Sequence, residues 1–281
     1  MCDQDHFEED IQKYSRRDLG VFAAGLSAAM MLPRPANAAE VAANEVMIET
    51  DDGKCDAYFV APKEGAHAAV LIWPDIFGLR PAFEKMGTRL AESGYSVLVV
   101  NPFYRMKKAP TASKGANSPF PEVRPMARSL TPEIQTKDAK SFVAWLDQQP
   151  QVDTNRKIGT TGYCMGGPIV FRTAAAVADR IGAAATFHGG GLATGDESSP
   201  HLLIPKMKAQ FLIAVAENDD KRDPASKDTL HDAFAEADLK AEIEVYPAGH
   251  GWCPPDTRVY NKTQAEKAWE RMLKLFETAL A

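Results

Sequence analysis

One stretch constrains this chain more than any other: Gly159-Thr160-Thr161-Gly162-Tyr163-Cys164-Met165-Gly166-Gly167. It reads as a strand, Lys157 to Gly162, that turns abruptly into a helix over Gly167 to Val177, with G-x-C-x-G-G at the junction. A sharp strand-to-helix turn with glycines flanking a nucleophilic side chain is a nucleophile elbow, a motif more often built on serine. The turn holds the central residue in a strained backbone conformation. Side chains two positions away would crowd it, and Gly162 and Gly166 leave that space open. The Cys164 thiol is then expected at a helix N-terminus, which lowers a thiol pKa and favours developing negative charge.

The rest of the pattern supplies the sheet such an elbow needs. Ala69 to Trp73 and Tyr95 to Val100 are continuous apolar runs, as strands buried on both faces should be. Between them Phe83, Met86, Leu90 and Ala91 share one helical face, and Gly94 ends the helix. Val46 to Glu49 and Ala57 to Ala61 flank Asp51-Asp52-Gly53 and read as a hairpin. Thr131-Pro132-Glu133 opens a helix that ends before Pro150. Further strands are predicted at Ala183 to Phe187, Gln210 to Val215 and Ala241 to Tyr246, with helices over Ala225 to Leu239 and from Thr263. This alternation predicts one α/β domain, a mostly parallel sheet with helices on both faces. The segment Arg105 to Leu130 breaks the pattern. It holds Pro110, Pro119, Pro121 and Pro125, and sets Arg105, Lys107, Lys108, Lys114, Arg124 and Arg128 against Glu122. It reads either as a solvated surface excursion or as a basic flap over an active site that attracts anionic substrate.

Nucleophile, acid and histidine follow in that chain order in hydrolases with this kind of elbow. His250, between Gly249 and Gly251 after the last strand, is the candidate base. Asp219 and Asp220 compete as the acid, with Asp219 favoured as the earlier after its strand; Asp223 suits a cap of the following helix better. His188 opens His188-Gly189-Gly190-Gly191 and reads at most as a strand-end residue lining the site. His250 with Cys253 is too little for a metal site, and no metal or cofactor is expected.

Composition narrows the class. The net charge of −6 over 281 residues argues against a nucleic-acid binder, and four cysteines rule out a disulfide scaffold. No apolar run reaches the roughly 20 residues of a membrane span. The N-terminus carries Ser15-Arg16-Arg17-Asp18-Leu19, a mildly apolar stretch from Gly20 to Leu32, and Pro35-Ala36-Asn37-Ala38-Ala39. Together these read as a twin-arginine-type export signal over 1–38 and a domain over 39–281. The expected destination is the periplasm or the exterior, reached through the twin-arginine export machinery. Cleavage would remove Cys2 and leave Cys55 and Cys253 as bystanders to Cys164, with a pairing between the two left open.

The residues now resemble the dienelactone hydrolase family, from about Val46 to the C-terminal helix. The cysteine elbow carries the likeness, supported by Trp73-Pro74-Asp75-Ile76-Phe77-Gly78-Leu79 and by Asn101-Pro102-Phe103-Tyr104-Arg105. The resemblance implies an α/β-hydrolase fold and a Cys164–His250–Asp219 triad that opens a small ester or lactone through a thioester. It implies an oxyanion hole from the Ile76 and Met165 N–H groups, and Tyr104 and Arg105 near the substrate. Asp75 stands where the family has a glutamate that pairs with the resting thiol, and is one methylene shorter. The family's second arginine, just after the histidine, is replaced by Trp252-Cys253-Pro254. Two other readings compete: a thiol redox or peroxide sensor using Cys164 with Cys55 or Cys253, and an inactive homologue that binds an anionic ligand.

Overall fold

A computed structural model describes residues 32–281; the export-signal reading, up to residue 31, lies outside the described residues. Eight strands form one sheet: β1 (Val41–Thr50), β2 (Gly53–Pro62), β3 (Ala69–Trp73), β4 (Ser96–Val100), β5 (Ile158–Tyr163), β6 (Ile181–Phe187), β7 (Gln210–Ala216) and β8 (Ala241–Tyr246). Their spatial order is β1-β2-β4-β3-β5-β6-β7-β8. The hairpin β1–β2 and the β2–β4 pair are antiparallel, and every other pairing is parallel. This is the expected α/β-hydrolase architecture, and the site is expected along the carboxyl edge of its parallel strands.

Helices cover both faces. Helix α1 (Pro81–Glu92) buries Phe83, Met86 and Leu90 in the apolar cluster that also takes Trp269, Met272 and Phe276 of the C-terminal helix. The opposite face packs Phe142, Ile169, Phe171 and Phe234, from three helices that follow β4, β5 and β7. Continuous burial of β3 and β4 follows from this double cover.

The segment expected to be irregular contains a helix, α2 (Phe120–Ser129). Phe120, Val123 and Met126 fall every third residue and are buried, so a helical face was present beneath the prolines. Pro121 stands in the first turn, where a missing N–H costs nothing. Pro125 is exposed and forfeits a single solvent-side bond to the carbonyl four residues earlier. Helix α3 (Pro132–Leu146) begins as expected, with the Thr131 hydroxyl accepting from Ile134 N. Helix α4 (Gly166–Ala176) follows β5. After β7 the chain enters a short helix, α5 (Glu217–Arg222). In α6 (Ala225–Glu236) Pro224 is the N-cap and no side chain caps, so Asp223 does not have the capping role expected of it. Helix α7 (Lys262–Ala279) closes the chain.

Candidate active site

Cys164 sits between β5 and α4 with φ at 52°, the left-handed backbone an elbow requires. Cys164 N donates to Phe187 O at 3.0 Å, and Gly167 N donates to Cys164 O at 3.0 Å, locking the turn. The flanking glycines are needed for a different reason from the one the sequence suggests. A Cβ on Gly162 would meet the Gly166 carbonyl oxygen at 2.3 Å, and one on Gly166 would meet the Trp73 carbonyl oxygen at 2.4 Å. Both clashes are with backbone, so the elbow is pressed against itself and against β3 rather than cleared around the thiol.

The ends of β7 and β8 bring the histidine and its acid together. His250 Nδ1 lies 2.6 Å from Asp219 Oδ2, and His250 N donates to Asn218 Oδ1 at 2.8 Å. Asp220 turns the other way and accepts from Lys227 Nζ at 2.7 Å. The one-turn geometry of α5, which points consecutive side chains about 100° apart, sends the two aspartates to these different partners. Cys164, His188, His250, Ile76 and Phe77 line a common cavity with Asp75, Phe120, Gly251 and Thr257. Ile76 follows Asp75 in this lining, and Met165 is the N-cap residue of α4, directly after Cys164.

Asp75 is at this cavity but is not held as a thiol partner. Arg80 donates to both its oxygens, at 2.7 Å and 2.9 Å, and Phe77 N donates to Oδ1 at 2.9 Å. The same guanidinium donates to both oxygens of Asp256, at 2.6 Å and 2.9 Å. Arg80 is buried, as is Asp75, and its face lies over Phe83 with the charge centre 4.8 Å from the ring. Burial pushes the Asp75 pKa up and Arg80 opposes it. Burial also works against the charged form of Arg80, but the two carboxylates outweigh it and raise its pKa. This triad pins the turn that carries Ile76. Arg80 and Asp256 were both missed by sequence reasoning: Arg80 directly follows the Trp73-to-Leu79 stretch and is signalled by that position, whereas Asp256 is 176 residues away and carries no signal.

Removing Arg80 as Arg80→Met should cost about 3–5 kcal/mol of stability at neutral pH, because Asp75 is left buried without its cation. With its folded pKa raised above the unfolded one, Asp75 penalises the fold only where it is ionised. The loss should therefore shrink as pH falls into the acid range. Urea midpoints of both proteins at two pH values check both parts.

Arg105 and Tyr104 are not brought to the cavity lining. Arg105 donates to both oxygens of Asp138 at 2.8 Å and 2.6 Å, and to Asp52 at 2.7 Å. Tyr104 Oη bonds Asp138 at 3.0 Å and lies 2.8 Å from Thr50 Oγ1. These side chains tie the β1–β2 turn to α3. The cavity is reached from this part of the chain by Phe120 of α2 instead, and no lysine or arginine lines it among the described residues.

The other two described thiols lie in different parts of the core. Cys55 belongs to the apolar cluster on one face of the sheet and Cys253 to the cluster on the other. Neither is in a disulfide, and burial raises both thiol pKa values. A raised pKa keeps a thiol protonated and poorly reactive, which counts against Cys55 and Cys253 as redox thiols. Among the described residues no cluster of histidine, cysteine, aspartate and glutamate could hold a metal, and no helix is long and apolar enough to cross a membrane.

The sequence profile of the dienelactone hydrolase family matches residues 55–280. A protein of Salmonella typhi assigned as a carboxymethylenebutenolidase is 26% identical over 264 residues, covering 90% of this chain and 93% of its own. Among solved structures, one assigned as a dienelactone hydrolase from Klebsiella pneumoniae superposes with a TM-score of 0.74 at 24% identity, covering 85% of this chain and 99% of that one. A dienelactone hydrolase-like promiscuous phosphotriesterase from metagenomic libraries gives a TM-score of 0.73 at 18% identity, covering 86% and 99%. At these identities the structural matches speak for the fold.

Proposed function

Because this chain belongs to the dienelactone hydrolase family, whose members are ester and lactone hydrolases, we propose that it opens a small neutral ester or lactone through a thioester on Cys164. The single observation that carries the mechanism is the 2.6 Å contact between His250 Nδ1 and Asp219, at a cavity shared with a cysteine in an elbow.

In this reading His250 takes the proton of the Cys164 thiol, and the thiolate so formed adds to the carbonyl carbon. The oxyanion that forms is met by the Ile76 and Met165 N–H groups, donors that are fixed before the charge develops. His250 delivers a proton to the departing alkoxide, and Asp219 holds the ring in one tautomer and stabilises its charged form. Water then attacks the thioester, with His250 as base.

The neutral substrate follows from the charges around the cavity. Among the described residues its lining carries no cation: Ile76, Phe77 and Phe120 are apolar, His188 and Thr257 are neutral polar groups, and Asp75 shares the one guanidinium of Arg80 with Asp256, leaving no positive charge over for an anionic substrate. Arg105 is committed to Asp52 and Asp138, so it is not at hand to pair with a substrate carboxylate. The Arg16-Arg17 signal pattern supports export of the folded enzyme, which would meet its substrate outside the cytoplasm.

The test is mass detection of a +acyl adduct on the Cys164 peptide after rapid mixing with p-nitrophenyl acetate. In the same series, p-nitrophenyl butyrate should exceed an ester with an anionic acyl chain of similar length by at least about tenfold in kcat/KM, equivalent to ~1.4 kcal/mol. A preference for the anionic ester would overturn the neutral-substrate assignment, and an adduct on another residue would overturn the nucleophile.

A further inference from the structure

Strand β6 ends at Phe187, and the next residue, His188, takes a left-handed backbone with φ at 43°. Its N–H donates to Ala214 O at 2.8 Å, which clamps the bend. Such a conformation is uncommon outside glycine, with asparagine, aspartate and histidine the residues that tolerate it best, and it is often found at functional sites. Its consequence here is that the imidazole joins the lining of the cavity that Cys164 and His250 share.

The ring is 1% exposed, and neither of its nitrogens has a hydrogen-bond partner among the described residues. Buried polar groups are almost always bonded, so an unsatisfied one needs an account. The cavity's other polar groups are committed: Asp75 to Arg80 and Phe77 N, and the Thr257 hydroxyl to Gly251 O at 2.7 Å. The His188 ring stands edge-on to the His250 ring with centroids 5.1 Å apart, and Trp252 packs behind it at 5.9 Å.

We propose that His188 is a catalytic residue that orients the water attacking the thioester, a role that rests on the acyl-enzyme reading of Cys164. Both rings line one cavity and meet edge to face, so a water held in that cavity lies beside His188 and His250 together. His250, with Nδ1 against Asp219, takes one water proton through Nε2. The second O–H donates to His188, and the remaining lone pair faces the acyl carbon. The new C–O bond forms, the C–S bond breaks, and His250 returns its proton to the Cys164 sulfur. His188 gains and loses no proton. Burial, and then the neighbouring His250, hold its pKa well below the usual histidine range, so an acceptor nitrogen is retained throughout.

The experiment follows p-nitrophenyl acetate turnover in the full chain, separating the burst of p-nitrophenol from the steady state. His188→Phe fills the ring space without nitrogens, and His188→Gly relieves the left-handed backbone while removing the ring. Both should keep an acylation burst within a few-fold of wild type and accumulate acetylated Cys164, with deacylation slowed about 100-fold. Added imidazole should restore deacylation in His188→Gly, and His188→Asn, which tolerates this backbone and keeps an acceptor, should recover most of the rate. A burst that falls in step with the steady state, or variants that deacylate like wild type, would overturn the proposal. If wild type itself forms no adduct on Cys164, it is the acyl-enzyme reading that fails.

Discussion

Cys164→Ala is expected to fold as the parent does and to lose ester hydrolysis by about 10⁶-fold in kcat, the order seen when the nucleophile of a coupled triad is removed. The two halves of this expectation have separate causes. The fold should survive because alanine meets the same left-handed backbone constraint at φ 52° that cysteine already meets, and only a sulfur atom leaves the buried site. The glycines that make the turn sterically feasible are untouched, as is the bond from the residue 164 N–H to Phe187 O. Activity should vanish because neither other described thiol can substitute: Cys55 and Cys253 are buried in the two apolar clusters and held protonated. Thermal melts and p-nitrophenyl acetate kinetics on both proteins check the two halves. Activity within tenfold of wild type would remove Cys164 from the chemistry.

The fold and the identity of the triad candidates were legible in the sequence for a common reason: they depend on local signals. Buried parallel strands such as β3 and β4 must be continuous apolar runs, and a strand-to-helix turn this tight must carry glycines. What stayed hidden depends on partners far apart in the chain. Nothing near Arg105 announces that Asp138 and Asp52 will claim its guanidinium, so a positive charge in a substrate-bearing segment looked available. Arg80 and Asp256 likewise meet only through the folded loops after β3 and β8. Helix α2 was concealed by its prolines, although the buried spacing of Phe120, Val123 and Met126 was present. His188 was read as a strand-end residue lining the site at most. Its unsatisfied nitrogens, which give it more than that, can only be seen in three dimensions.

Asp219→Asn should lower kcat by about 10⁴-fold with little change in KM or in stability, while Asp220→Asn should stay close to wild type. Sequence alone left these neighbours competing, and the geometry separates what each could do. Asp219 Oδ2 is 2.6 Å from His250 Nδ1, so its charge fixes the tautomer that leaves Nε2 ready as a base and stabilises the imidazolium that follows. An amide of the same shape carries no charge. It can also present its N–H₂ to Nδ1, which would place the ring proton on Nε2 and remove the base altogether. The backbone anchor of His250, donating to Asn218 Oδ1 at 2.8 Å, stays in place, so the loss should be one of chemistry rather than of position. Asp220 is bonded at its carboxylate to Lys227, a partly exposed pair of the kind worth at most about 1 kcal/mol. Measured pH–rate profiles give a further discriminant. Without the Asp219 carboxylate the imidazolium is less stable, so the acid limb of kcat/KM that reports the base should move to lower pH in Asp219→Asn and stay put in Asp220→Asn. Equal effects of the two substitutions would dissolve the assignment of Asp219.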